Sequence, residues 1–281
     1  MQPLITEFYH QPTGSFSYVV EDSTTRDAAV IDVVLDYEPH SACTSTCFAE
    51  RIVAYVRGRD LRVRWILETH AHADHVSAGA YLREVLGGQL AIGAGVTQVQ
   101  ATFKAIFNLS EEFRADGSQF DHLFTDGESF AIGSLQARVM AMPGHTNDSI
   151  AYLIGGCAFI GDTLFAPDLG SARCDFPGGD AQLLFVSVQK LYQLPASTRL
   201  FLCHDYPPET RVPRAEVSLA EQRLSNLHLR DGVSIEQFVG MRVARDRGLE
   251  LPNLILPAIQ MNIRGGRKPP PEANGTSYLK L

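Results

Sequence analysis

The sequence predicts an α/β protein, and three observations carry that reading. Short strand-like runs alternate with helix-spaced runs along most of the chain. Each cluster of reactive polar residues follows directly on a predicted strand. Of the nine histidines, five (His70, His72, His75, His145 and His204) fall in these strand-end loops, where scaffolds place functional groups.

The first strands are Phe16 to Val20 and Ala28 to Val33, parted by the polar turn Asp22-Ser23-Thr24-Thr25. Apolar residues at Ile52, Val53 and Val56 give helix spacing over 48–56, and a strand follows from Val63 to Leu67. A helix is expected from Asp74 to Leu86, stopped by Gly87-Gly88. Then come a strand at 89–92, a helix at 96–107, and strands at 122–124, 129–132 and 135–141. Ile150 to Ile154 and Cys157 to Ile160, joined by Gly155-Gly156, form the clearest hairpin and deliver Gly161-Asp162. Helices are expected at 180–194, 214–227 and 235–247, with a strand at 200–203 leading to His204. The chain reads as one domain over 1–281, in which 252–281, with five prolines, is an irregular arm packed on the body.

The chemistry centres on Thr69-His70-Ala71-His72-Ala73-Asp74-His75. In an extended segment His70 and His72 point the same way, and Asp74 then begins the next helix. Four such side chains held together without a partner are costly, so the stretch reads as a metal site.

The formal net charge of −8 argues against a nucleic-acid groove, which needs a basic stripe. No apolar run reaches the length of a membrane span. Met1-Gln2-Pro3-Leu4 has neither the basic nor the apolar region of a secretory signal, and the five cysteines are odd in number and scattered. These features predict a cytoplasmic location with reduced thiols. The assembly is not legible, although a homodimer is the common form for a soluble enzyme.

The motif His70-Ala71-His72-Ala73-Asp74-His75, followed in order by His145, Asp162 and His204, resembles that of the metallo-β-lactamase superfamily. The resemblance covers most of the chain and implies an αββα sandwich, two mixed sheets packed face to face with helices outside. Within the superfamily, Gly144-His145-Thr146, Gly161-Asp162-Thr163-Leu164-Phe165 and Cys203-His204-Asp205-Tyr206 look like the glutathione-linked branch of hydroxyacylglutathione hydrolases and persulfide dioxygenases. Ala172-Arg173-Cys174-Asp175-Phe176 is similar to the Gly-Arg-Thr-Asp-Phe stretch of the dioxygenases, keeping Arg173, Asp175 and Phe176. The tail from Asn262 to Lys280 resembles that of a bacterial dioxygenase subgroup.

Seven ligand-type residues suit two zinc ions bridged by Asp162, and two imidazoles with one carboxylate equally suit one non-haem Fe(II). Spacing leaves both open. The dioxygenase resemblance implies one Fe(II) per chain on His70, His145 and Asp162. It leaves His72, Asp74, His75 and His204 at the catalytic centre as supports of those ligands. It also implies glutathione persulfide and O2 as substrates, with Arg173 and Tyr206 as candidates for binding the thiol carrier; no cysteine is needed for that chemistry, and Cys174, next to Arg173, is a lesser candidate for a redox role by its position alone. A dizinc hydroxyacylglutathione hydrolase is the alternative.

Overall fold

In the computed structural model, which describes residues 2–280, each half of the chain builds its own sheet. The first half runs β1 (Leu4–His10), β2 (Ser15–Glu21), β3 (Asp27–Ile31), β4 (Val34–Glu38), β5 (Cys43–Ser45), α1 (Cys47–Gly58), β6 (Arg62–Leu67), β7 (Val76–Ser77), α2 (Gly79–Leu86), β8 (Gln89–Gly93), α3 (Val96–Ile106) and β9 (His122–Phe124). Its main sheet has the order β1-β2-β3-β6-β8-β9. Pairing is antiparallel from β1 to β3 and parallel from β3 to β9.

The second half runs β10 (Ser129–Ile132), β11 (Leu135–Ala141), β12 (Ile150–Ile154), β13 (Cys157–Phe159), α4 (Ala181–Leu191), β14 (Arg199–Phe201), β15 (Glu216–Ser218), α5 (Leu219–Ser225), α6 (Ile235–Asp246) and α7 (Ile255–Asn262). These six strands pair in sequence order, with β13 and β14 the one parallel pair.

Period-two alternation sorts the strand side chains into layers. Phe16, Tyr18 and Val20 of β2 point into the space between the sheets, where they meet Leu135, Ala137 and Val139 of β11. Val19 points outward, into a second core with Ile52, Val53 and Val56 of α1. On the far side, Ala158 of β13 joins Leu184 and Val188 of α4 and Phe238 of α6. The result is the αββα sandwich. Polar links cross between the sheets as well: the Tyr18 hydroxyl donates to the Leu202 carbonyl at 2.5 Å, and that of Tyr152 to the Glu68 carbonyl at 2.9 Å. Asp22, in the β2–β3 turn, accepts from the backbone and hydroxyl of Ser134 at 2.6 and 2.7 Å.

Three expectations are corrected. The helix expected from Asp74 starts at Gly79, because residues 70–78 curl around the site and spend their backbone groups there. Ala71 N donates to Asp148 Oδ2 at 2.8 Å, and Val76 and Ser77 pair with β4. The helix expected over 214–227 is β15 followed by the short α5, whose N-cap Ser218 accepts from Glu221 N at 3.1 Å. The tail is not irregular throughout. Residues 255–262 form α7, and Pro257 sits in its first turn, where a missing N–H costs nothing. No helix among the described residues is long and apolar enough to cross a membrane.

Candidate metal centre

The ends of β6, β11, β13 and β14 meet at one edge of the sandwich, bringing the two sheets' polar loops together. Gly161 permits this approach. It holds φ at +51°, and a Cβ there would stand 2.7 Å from Thr69 Oγ1. The seven residues named from the sequence gather into two groups. The donor atoms of His70, His145 and Asp162 all lie within 4.8 Å of one another, as do those of His72, Asp74, His75 and His204. Asp162 stands between them. Its Oδ2 is 3.9 Å from His70 Nε2 and 3.6 Å from His145 Nε2, while Oδ1 is 3.5 Å from His204 Nε2.

Hydrogen bonds assign the imidazole protons. His145 Nδ1 lies 2.8 Å from the Arg173 carbonyl, which can only accept, so the proton is on Nδ1 and Nε2 keeps its lone pair. Thr69 Oγ1 gives its hydrogen to Asp32 Oδ2 at 2.9 Å and so accepts from His70 Nδ1 at 3.1 Å, freeing His70 Nε2. His72 is reversed. Its Nε2 donates to Asp32 Oδ1 at 3.1 Å and Nδ1 is free. Ser15 Oγ contacts Nδ1 of both His75 and His204, at 3.4 and 3.2 Å.

The freed atoms find no hydrogen-bond partner among the described residues: His70 Nε2, His72 Nδ1, His75 Nε2, His204 Nε2 and Asp162 Oδ1 are all buried and unsatisfied. His204 Nε2 comes within 3.0 Å of Asp74 Oδ2 but out of line for a hydrogen bond. Such a collection of lone pairs is expensive to bury, and a cation held by either group satisfies the donors of that group. The residues fit a metal. Titration divides the imidazoles: burial, then His72 and His145, push His70 well below its ordinary value, and burial with His72 takes His75 to about 4, whereas against burial Asp32 holds His72 well above its ordinary value and Asp162 with Asp74 does the same for His204. Burial raises the Asp74 carboxyl, but His204 and His75 outweigh it and hold Asp74 well below the usual range.

The sequence profile described as "Metallo-beta-lactamase superfamily" matches residues 10–204. The chain belongs to the metallo-β-lactamase superfamily. A probable metallo-hydrolase of Burkholderia pseudomallei is 47% identical over 98% of this chain and 97% of its own length. A β-lactamase hydrolase-like protein of Xylella fastidiosa is 50% identical over 99% of this chain, which spans 64% of that relative. Human "Persulfide dioxygenase ETHE1, mitochondrial" is 28% identical over 95% of this chain and 90% of its own. The crystal structure of ETHE1 from Myxococcus xanthus superposes with a TM-score of 0.75 at 28% identity, covering 94% of this chain and all of that one.

In this superfamily member the ligands' supports are not the ones expected. The second group was to orient the triad through hydrogen bonds, yet His72, Asp74, His75 and His204 make none to His70 or His145 among the described residues. Their own lone pairs converge as ligands' do. Orientation comes instead from Asp32, Thr69, Ser15 and the Arg173 carbonyl. Asp32 also accepts from Thr69 N at 2.7 Å, and it occupies φ +50°, a conformation few residues other than glycine and asparagine adopt readily. Asn262, at the end of α7, donates from Nδ2 to the carbonyls of His72 and His75, both at 2.8 Å, and accepts from Ser77 N. Beyond residue 204, then, the tail clamps the metal loop. Asp32 was findable as one more acid at a strand end; nothing in the sequence singled out Asn262.

A cavity of about 520 Å³ opens beside Asp74, His145 and Asp162 and includes Arg173 and Tyr206 in its wall. Tyr206 stacks on His204, with ring centroids 5.7 Å apart and planes 7° from parallel, and its hydroxyl donates to Asp74 Oδ2 at 3.3 Å. The Arg173 guanidinium closes its fork on Asp175 at 2.6 and 2.7 Å, donates to the Glu250 carbonyl at 2.6 Å, and lies over the Phe176 ring. This narrows its expected role. With Asp175 and the Glu250 carbonyl taking three of its five N–H groups, Arg173 keeps one on each of Nη1 and Nη2 for a substrate, and its charge is already paired. Cys174 is set aside as a redox group, since burial and Asp246 push its thiol up to about 12.

Proposed function

We propose that this protein is a persulfide dioxygenase, oxidising glutathione persulfide with O2 and water to sulfite and glutathione at a site for one Fe(II) per chain. The observation that carries this reading is the compact triad of His70, His145 and Asp162, two imidazoles and one carboxylate within 4.8 Å, with Nδ1 of both imidazoles tied back. That is the donor set of non-haem oxygen chemistry, and the likeness to ETHE1 over nearly the whole chain supports it. Bound there, Fe(II) supplies open positions for the persulfide sulfur and O2 and the electrons that activate O2.

The chain's own residues do the rest. Asp32 and the Arg173 carbonyl fix the tautomers that leave Nε2 of His70 and His145 free. Phe176, held by Arg173 and set edge-on to His145 at 5.5 Å, shields the triad from water on one side. Tyr206, whose hydroxyl donates to Asp74, lines the cavity with its ring and offers its phenol oxygen as an acceptor.

A second reading rests on the other group. His72, Asp74, His75 and His204 are as close together as the triad, and metallo-hydrolases stand among the similar proteins. A dizinc thioester hydrolase would use both groups at once. An oxygen electrode separates the two. Iron-loaded protein is expected to consume O2 only when glutathione persulfide is added, and to leave S-lactoylglutathione intact. Thioester hydrolysis without persulfide-dependent O2 uptake overturns the dioxygenase reading.

A further inference from the structure

A second cavity, of about 360 Å³, lies under the tail and shares no wall residue with the one beside the triad. Phe113, Arg264, the run Pro269 to Pro271 and Tyr278 are in its wall. It stands behind the metal loop, since Phe113 and Ile263 pack in one cluster with Ala71 and Ala73.

The charge on this wall sets it apart. Six arginines of the chain are withdrawn from full exposure. Five of them, Arg173, Arg211, Arg214, Arg223 and Arg242, close on carboxylates at 2.5 to 2.9 Å. The sixth, Arg264, has neither an ion pair nor a side-chain hydrogen bond among the described residues; its guanidinium lies over the Phe113 ring, 4.4 Å from the centroid. Burial pushes its pKa down, and no carboxylate stands close enough to offset that. The other charged side chains of the wall, Glu112, Glu272 and Lys280, are exposed, and none is paired with Arg264.

Arg264 Nε is buried and unsatisfied, whereas its two terminal nitrogens remain open to the cavity. A guanidinium held partly out of water without an anion is costly, and a ring face offsets only part of the cost. The group that completes it is a planar oxoanion, which two N–H donors of one fork can grip together. Phe113, the three prolines and the Tyr278 ring supply apolar surface for whatever carries that oxoanion.

We infer that Arg264 and Phe113 anchor a second ligand site, for a small carboxylate on an apolar or aromatic body. The carboxylate takes the terminal nitrogens of Arg264, and the body packs along the prolines and Tyr278. The site makes no use of the triad, so it stands or falls independently of the dioxygenase reading.

Calorimetric titration of the metal-loaded protein with benzoate tests it. Benzamide serves as the uncharged isostere, and acetate as the carboxylate without the ring. Benzoate is expected to bind about tenfold more tightly than either, the scale of a hydrogen bond to a charged group or of a partly buried ring. Arg264→Met keeps the apolar stem over Phe113; it should weaken benzoate about tenfold and leave benzamide unchanged. The substitution removes a charge that has no partner, so the melting temperature without ligand should not fall. Absence of benzoate binding, or equal binding of benzoate and benzamide, overturns the site. So does benzoate binding that survives Arg264→Met, which would place the anion elsewhere, such as at the metal. A lower melting temperature in Arg264→Met would show that the guanidinium already has its partner within the fold, and would overturn the site as well.

Discussion

Asp162→Ala is expected to yield a folded protein that retains no iron. Asp162 is the one carboxylate of the triad, and its oxygens lie 3.5 to 3.9 Å from imidazole nitrogens of both histidine groups. Without it, the imidazoles face an ion with no compensating anion. The loss should exceed the roughly 10–100-fold that removal of an outer hydrogen-bond partner costs. The fold should survive, because Asp162 Oδ1 is unsatisfied in the metal-free protein and alanine removes a buried polar atom rather than stranding one. Elemental analysis and thermal unfolding of the metal-free protein read the two effects separately. Full iron occupancy in the variant would transfer the carboxylate role to Asp74.

Asp32→Ala should have the second-largest effect, on stability and metal affinity together. Asp32 is 2% exposed and accepts from Thr69 N, Thr69 Oγ1 and His72 Nε2 at 2.7 to 3.1 Å. Burial alone would raise its carboxyl, but His72 and the Thr69 bonds overcome that and lower it, so it is an anion in the fold. Its removal strands three buried donors, at a cost of about 3–5 kcal/mol for a broken buried pair. It also frees the tautomer of His70 through Thr69, which should lower iron affinity about 10–100-fold. Asp32→Asn tolerates φ +50° and should recover part of the stability while the affinity stays low. An unchanged melting temperature and iron content in Asp32→Ala would show that Thr69 and His72 hold their places without it.

The strands were legible because their faces differ. Hydrophobic alternation in Ser15–Glu21 and Leu135–Ala141 reflects burial between two layers, and the Gly155-Gly156 turn marked its hairpin plainly. The short strands Val34–Glu38 and Glu216–Ser218 carry too few residues to show a period. Pro257 hid α7, since a proline reads as a break unless its place in the first turn is known. At the site, the ligand-type residues were legible from residue type and strand-end position alone. Their supports were not. Ser15, Asp32 and Asn262 reach the centre from β2, β3 and α7, and only the packing of the sandwich brings them together. Arg173 shows the limit from the other side, because a neighbouring Asp175 pairs its charge and the sequence could not say which partner wins.

Metal analysis of protein produced without added metal is the most direct test of a mononuclear iron centre. About one iron per chain, lost in Asp162→Ala, is the predicted result. About two zinc ions per chain, held by both histidine groups, would contradict it and make the centre that of a hydrolase.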